Sequence, residues 1–163
     1  MPNKLTINGL EFQWVQPLDF LTRRFGVEGL GVNANATIVD QTSDGPAIAY
    51  GVAKYTYNLT GYYEHHGVSL RLTQTFRQGS QSSGANQNGI GSAALFTDDY
   101  KQVDFSSSFD LEKLFGLRNL PQVTFNAINL TNAAQRSYFQ YSNATFTYYK
   151  PGREFLLGVR ATF

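Results

Sequence analysis

The chain has 163 residues, a net charge of +1 and only 15% charged residues, which argues against a strongly basic nucleic-acid-binding protein. It contains no cysteine, which excludes disulfides and thiolate metal sites. No apolar run approaches the ~18 residues of a membrane-spanning helix, and the first residues, MPNKLTINGLEF, lack the charged and then apolar layout of a signal peptide.

Alternation of apolar and polar residues predicts seven β-strands along the chain. In the first, 10–14, Leu10, Phe12 and Trp14 share one face, while Ile7 is out of phase with them and predicts a bulge at Gly9. The other six stretches are 30–39, 53–63, 67–77, 102–110, 122–129 and 153–163. Two short segments, 21–26 and 111–116, each have room for a single helical turn.

The connections between these stretches alternate in character. A tight turn at 64–67 and a link at 110–120 are short, and we place the link at 17–28 on the same side. Three longer polar connections, at 40–52, 78–98 and 131–152, fall on the other side. The segment 78–98 is rich in Gly, Ser, Asn and Gln and is predicted to be a mobile loop. Such an asymmetry is typical of up-and-down barrels in an outer membrane.

Alternation alone does not tell what the apolar face touches. A soluble sandwich or small barrel turns this face inward, whereas a membrane barrel turns it toward lipid and keeps a polar interior. The polar phase here consists largely of Asn, Thr, Ser and Gln, which favours a wet lumen over a charged, solvated exterior. The residues expected to face this lumen are Lys54, Asn58, Arg71, Arg77, Asp104 and Arg160.

Aromatic residues gather near the predicted strand ends. An amphipathic ring is stable at the level of lipid headgroups, so these residues are interpreted as an aromatic girdle, with capping of a soluble core as the alternative. The predicted girdle consists of Trp14, Tyr62, Tyr63, Tyr100, Tyr148 and Tyr149.

Several segments resemble the C-terminal part of TonB-dependent outer-membrane receptors. They are 7–18 (INGLEFQWVQPL), 57–77 (YNLTGYYEHHGVSLRLTQTFR), 103–113 (VDFSSSFDLEK), 123–138 (VTFNAINLTNAAQRSY) and 148–163 (YYKPGREFLLGVRATF). The stretch Asn129-Leu130-Thr131, followed by a loop and a final strand, is typical of the last hairpin of that family. The likeness covers essentially the whole chain, in order.

The resemblance implies an all-β fold: an antiparallel, up-and-down transmembrane β-barrel segment, about seven strands of a 22-stranded barrel, without the plug domain. Residues 1–163 would then form one unit of a receptor in the bacterial outer membrane. The whole receptor would take up a scarce ligand, such as a siderophore, cobalamin or a glycan, in an energy-dependent way, and the fragment would not transport alone. Implied partners are outer-membrane lipid, the barrel-assembly machinery, and the remaining barrel and plug, which would hold the TonB contact; nucleic acid is not among them.

The last strand carries a second feature implied by the resemblance. A glycine, then alternating apolar residues and a terminal aromatic residue form the signal that the outer-membrane insertion machinery recognises by strand addition. Gly158, Ala161 and Phe163 match this pattern, whereas Leu156 stands where a polar residue is usual. The alternative is an ordinary closing strand of the barrel.

Neither a catalytic set nor a cofactor site is predicted. The chain has no Ser-His-Asp arrangement and no carboxylate pair in a catalytic context, so we expect no enzyme. His65 and His66 are adjacent, and neighbouring residues of an extended chain point to opposite faces, so a polar turn is expected there rather than a metal site.

Two other classes of protein stay open at this point. One is a complete eight-stranded outer-membrane barrel for adhesion or anchoring, with its eighth strand within 137–149. The other is a soluble β-barrel or sandwich that binds an apolar ligand among inward-pointing Phe and Tyr side chains.

Overall fold

The computed structural model describes residues 4–86, 91 and 93–161 of the chain. The fold is all-β, with 58% of the described residues in strands and 8% in helices, and the paired strands are antiparallel. The strands are β1 (Leu5–Pro17), β2 (Leu30–Ser43), β3 (Tyr55–His65), β4 (Val68–Arg77), β5 (Gln81–Ser83), β6 (Leu95–Thr97), β7 (Tyr100–Asp110), β8 (Gln122–Ile128), β9 (Gln135–Phe139), β10 (Thr145–Tyr149) and β11 (Glu154–Arg160).

The seven long strands form one sheet in the order β1-β2-β3-β4-β7-β8-β11, here called the large sheet. These are the seven strands that period-two alternation predicts, so that prediction is confirmed. The predicted bulge at Gly9 is wrong, because β1 pairs with β2 without interruption from Leu5 opposite Ser43 to Pro17 opposite Gly31. Ile7 therefore lies on the face opposite to Leu10, among the polar side chains.

The short connections lie at one end of the large sheet. Helix α1 (Asp19–Thr22) and a 3₁₀ turn join β1 to β2, a tight turn joins β3 to β4, and helix α2 (Leu111–Phe115) joins β7 to β8. The Asp110 carboxylate caps α2 by accepting a hydrogen bond from the Lys113 backbone N–H at 3.2 Å. The 3₁₀ turn and helix α2 each end at a glycine in the left-handed conformation, Gly26 and Gly116, and both predicted single turns are confirmed.

The long connections lie at the other end, and two of them carry a second sheet. Strands β5 and β6 come from the β4–β7 connection, β9 and β10 come from the β8–β11 connection, and together they form the small sheet in the order β10-β9-β6-β5. The two ends of the segment 78–98 are therefore ordered rather than mobile, since the Thr97 N–H donates to the Ser80 carbonyl at 2.8 Å and β6 pairs with β9. The strand expected within 137–149 belongs to this small sheet and does not extend the large one.

The described residues form almost no hydrophobic core. Their only buried apolar residues are Ala94 and Ala127, and none of their large side chains is fully buried. No helix among the described residues has the length and apolar character needed to cross a membrane. Nearly all apolar side chains of the described residues are therefore at least partly exposed at the surface.

Candidate functional site

The register of the large sheet aligns its apolar side chains on one face. Across the row that contains Leu72, the neighbours on β7, β8 and β11 are Phe105, Ala127 and Phe155. Across the row that contains Leu10, the neighbour on β2 is Ile38. Opposite residues of an antiparallel pair point to the same side, so the pattern continues over all seven strands.

We call this surface the apolar face. Eleven of its large side chains are exposed, from 37% for Phe125 to 75% for Leu157, and others, such as Phe76 and Phe105, are half-buried. A soluble protein seldom leaves a contiguous apolar patch of this extent uncovered. The exposed members are Leu10, Phe12, Trp14, Ile38, Tyr55, Leu59, Leu72, Phe125, Phe155, Leu157 and Val159.

Contacts within the apolar face run sideways between neighbouring strands. The rings of Phe105 and Phe125 lie 6.3 Å apart, and those of Phe125 and Phe155 lie 6.4 Å apart. The Gln74 amide, a polar group on this face, donates to the Tyr57 hydroxyl at 2.7 Å. Such lateral contacts order the side chains, but they leave their outer surfaces uncovered.

The opposite side, here called the polar face, carries amides, hydroxyls and charged groups. The Asn58 amide donates to Asn35 at 3.0 Å and its oxygen accepts from Thr75 at 2.8 Å, which links three strands. The Thr60 and Thr73 hydroxyls are 3.0 Å apart. These bonds satisfy polar groups within the sheet, so the polar face is held together by side chains as well as backbone.

Of the six residues predicted to face a lumen, five share the polar face by register: Asn58, Arg71, Arg77, Asp104 and Arg160. The sixth, Lys54, immediately precedes β3, and its ammonium lies 5.5 Å from the centre of the Tyr55 ring. Arg71 forms an ion pair with Glu64 on the neighbouring strand. The register thus brings the five residues that lie in strands to the polar face.

The predicted girdle is divided between different surfaces. Trp14 and Tyr63 lie on the apolar face, whereas Tyr62 and Tyr100 lie on the polar face, in register with Arg71 and Arg77. Tyr148 and Tyr149 are exposed on β10 of the small sheet. Successive side chains of a strand point to opposite faces, so a band on one face takes only every second residue of a strand. The prediction grouped the aromatic residues by their nearness to strand ends and did not consider which face each one occupies.

Asn129 fixes the connection after β8 and is 3% exposed. Its side-chain amide donates to the carbonyls of Ala133 at 3.1 Å and Gly152 at 2.7 Å, and its oxygen accepts from the Ala133 N–H at 2.7 Å. Its own backbone N–H donates to Asp104 at 2.8 Å. The side chain therefore ties the start of one long connection to the end that leads into β11, a role that the sequence alone does not indicate.

The predicted insertion signal is only partly within the described residues. Gly158 lies in β11, where an added Cβ would stand 2.6 Å from the Thr124 hydroxyl. Ala161 is exposed directly after β11, and Phe163 lies outside the described residues. Leu156, which departs from the pattern, lies on the polar face opposite Asn126.

The side chains of His65 and His66 lie close together, although they were expected to point to opposite faces. Their ring centres are 3.9 Å apart, because His66 lies in the β3–β4 turn with a φ of 45° and leaves the extended conformation. Among the described residues, no group of three or more His, Cys, Asp or Glu side chains is arranged to hold a metal ion.

Comparison of the chain with protein-family models, curated proteins and solved structures gave no match.

A cavity of about 280 Å³ lies between the two sheets, at the long-connection end of the polar face. The large sheet contributes Arg77 and Tyr100, which are opposite each other on β4 and β7. All four strands of the small sheet line the cavity too, together with the adjoining Asp98 and Ala134. We call it the inter-sheet cavity. The sequence did not predict this cavity, because the strands of the small sheet have only three to five residues, too few to show a clear alternation of apolar and polar residues.

Proposed function

We propose that the seven long strands are a section of the wall of a transmembrane β-barrel of the TonB-dependent receptor class. The whole receptor would take up a scarce ligand across the bacterial outer membrane, and this section alone would not transport. Outer-membrane lipid would cover the apolar face, and the remaining barrel and the plug would adjoin the section.

The observation that carries the proposal is the apolar face, which extends over seven strands and leaves eleven large side chains exposed. Burying apolar surface is worth roughly 25 cal/mol per Å², so large Phe and Leu side chains on seven adjacent strands favour an apolar environment strongly. Lipid supplies such an environment over a whole sheet face, while the backbone groups of each inner strand are satisfied by its neighbours.

The other side of the sheet supports the same proposal. A porin-like wall alternates lipid-facing apolar residues with polar residues toward its interior, and short turns lie at one end with long loops at the other. The polar face and the two kinds of connection follow this arrangement.

The strand count also agrees with a larger barrel. Six successive antiparallel pairs leave β1 and β11 at the two edges, running in the same direction. Joining these edges directly would create a parallel pair. An added odd number of antiparallel strands, such as the fifteen that a 22-stranded barrel requires, would close the wall without one.

Gly158, Ala161 and Phe163 would, in this proposal, form the signal for the barrel-assembly machinery. The close approach of Thr124 to Gly158 explains why a side chain is disfavoured at the first of these positions. The barrel-assembly machinery would recognise this signal by strand addition, in which one of its own strands pairs with the last strand of the chain.

Trp14 tests the proposal directly, because it is the single tryptophan of the chain and lies on the apolar face. The chain is refolded in detergent, and part of the detergent is then replaced by its brominated form, which quenches nearby indoles. We expect strong quenching of Trp14. The matched control combines Trp14→Phe with Gln13→Trp, which moves the indole to the adjacent residue on the opposite face, and weak quenching is expected there.

Equal quenching of the two proteins would contradict the assignment of the faces. A chain that purifies as a soluble monomer in buffer without detergent would contradict the membrane proposal as a whole, since it would then tolerate its apolar face in water.

A further inference from the structure

The inter-sheet cavity has a scaffold that is already hydrogen-bonded. The Arg136 guanidinium donates to Asp98 at 2.8 Å, to the Ser142 carbonyl at 2.7 Å and to Thr145 at 3.1 Å. The Ser137 hydroxyl is bonded to that of Thr147 on the neighbouring strand. These groups therefore hold the cavity in shape, and Arg136 is not available as a free cation.

Three other groups at the cavity have side chains without a polar partner among the described residues. They are the Arg77 guanidinium, the Gln135 amide and the Tyr149 hydroxyl, and all three residues are exposed. Arg77 comes from the large sheet, whereas the other two come from neighbouring strands of the small sheet, where Tyr149 is directly opposite Gln135. A ligand in the cavity would thus meet free donors and acceptors from both sheets.

The chemistry of these groups selects a class of ligand. A guanidinium presents a fork of N–H donors that matches one carboxylate in a bidentate way. A side-chain amide and hydroxyl groups both donate and accept, as the hydroxyls of a sugar do. The Tyr149 ring, 63% exposed, offers an apolar surface against which the C–H face of a sugar ring can pack.

We propose that the inter-sheet cavity binds one acidic sugar unit, with its carboxylate on Arg77, its hydroxyls on Gln135 and its ring against Tyr149. A volume of about 280 Å³ is just below the usual range of ligand pockets, about 300–1,000 Å³, which fits a single unit better than a large metal chelate. This inference rests on the proposed function and narrows its ligand to an acidic saccharide.

The test titrates the detergent-solubilised full chain with galacturonate, galactose and acetate, followed by ligand-observed NMR. We expect galacturonate to bind at least about tenfold more tightly than either galactose or acetate, because only it engages both the cation and the hydroxyl-binding groups. Arg77→Gln should reduce galacturonate binding to the level of galactose. Tyr149→Leu should weaken both sugars about three- to tenfold and leave acetate unchanged.

Arg160→Gln is the matched control, since Arg160 also lies on the polar face but near the short-connection end, opposite Gln122. It should leave all three affinities unchanged. Absence of galacturonate binding, equal binding of galactose or acetate, or an equal loss in Arg77→Gln and Arg160→Gln would each overturn the inference. Because Arg77 has no polar partner among the described residues, its substitution should leave the sheet intact, which circular dichroism checks.

An error in the proposed ligand can be distinguished from an error in the proposed membrane function, because the two are tested by independent measurements. Quenching of Trp14 by brominated detergent reports on the apolar face and does not depend on the cavity. Retained quenching without sugar binding would overturn only the ligand class.

Discussion

Substitutions at two neighbouring residues in the middle of β2 distinguish an apolar face that contacts lipid from one that contacts water. Ala36 lies on the apolar face between Phe12 and Tyr57, and Thr37 lies on the polar face between Glu11 and Thr56. We compare Ala36→Arg with Thr37→Arg. The two substitutions introduce the same charge on the same strand, and neither removes a large apolar side chain or a side-chain hydrogen bond found among the described residues.

The expected difference is large. An arginine on the lipid face near the bilayer midplane costs about 2–4 kcal/mol, which lowers the folding equilibrium constant about thirtyfold to nearly a thousandfold. At Thr37 the new guanidinium meets the Glu11 carboxylate across the strands and should change the free energy of unfolding by no more than about 0.5 kcal/mol.

Urea unfolding of the chain in lipid vesicles, followed through Trp14 fluorescence, measures both free energies. The lipid assignment predicts a loss for Ala36→Arg only. Changes in the two variants that agree within about 0.5 kcal/mol, or a larger loss for Thr37→Arg, would refute the argument from the faces.

Three further predictions concern the packing of the chain. Asn129→Ala removes three buried hydrogen bonds at a residue with a positive φ, so we expect a loss of about 2–4 kcal/mol and faster proteolysis of the β8–β9 connection. Gly31→Ala would place a Cβ 2.2 Å from the Tyr62 ring and should cost about 1–3 kcal/mol in urea unfolding, with Tyr62→Ser restoring most of it. Glu64→Gln breaks an exposed ion pair with Arg71, so the free energy of unfolding in urea should change by less than about 1 kcal/mol, and a larger change would contradict a solvated polar face.

The long strands could be predicted from the sequence because their alternation extends over many residues. In β4, Val68, Leu70, Leu72 and Phe76 fix one face, and the observed register agrees. Alternation also places Asn58, Arg71 and Asp104 together, since parity alone assigns them to one side of the sheet.

Features set by contacts between distant segments were not predictable. Gly9 suggested a bulge, but Val39 lies opposite it in regular register, so Ile7 simply occupies the polar face. Strands β5 and β6 have three residues each, and they are strands only because β5 pairs with β6 and β6 pairs with β9. The role of Asn129 depends on Gly152, which lies 23 positions away in the chain.

The small sheet has a mechanical consequence for the long connections. Because β6 pairs with β9, the segment after β4 and the segment after β8 share backbone hydrogen bonds and cannot unfold independently. Strands β5, β6, β9 and β10 thus form one cooperative unit whose amide protons should exchange together. The entropy of ordering these four strands is lost once, on folding, rather than again when a ligand arrives.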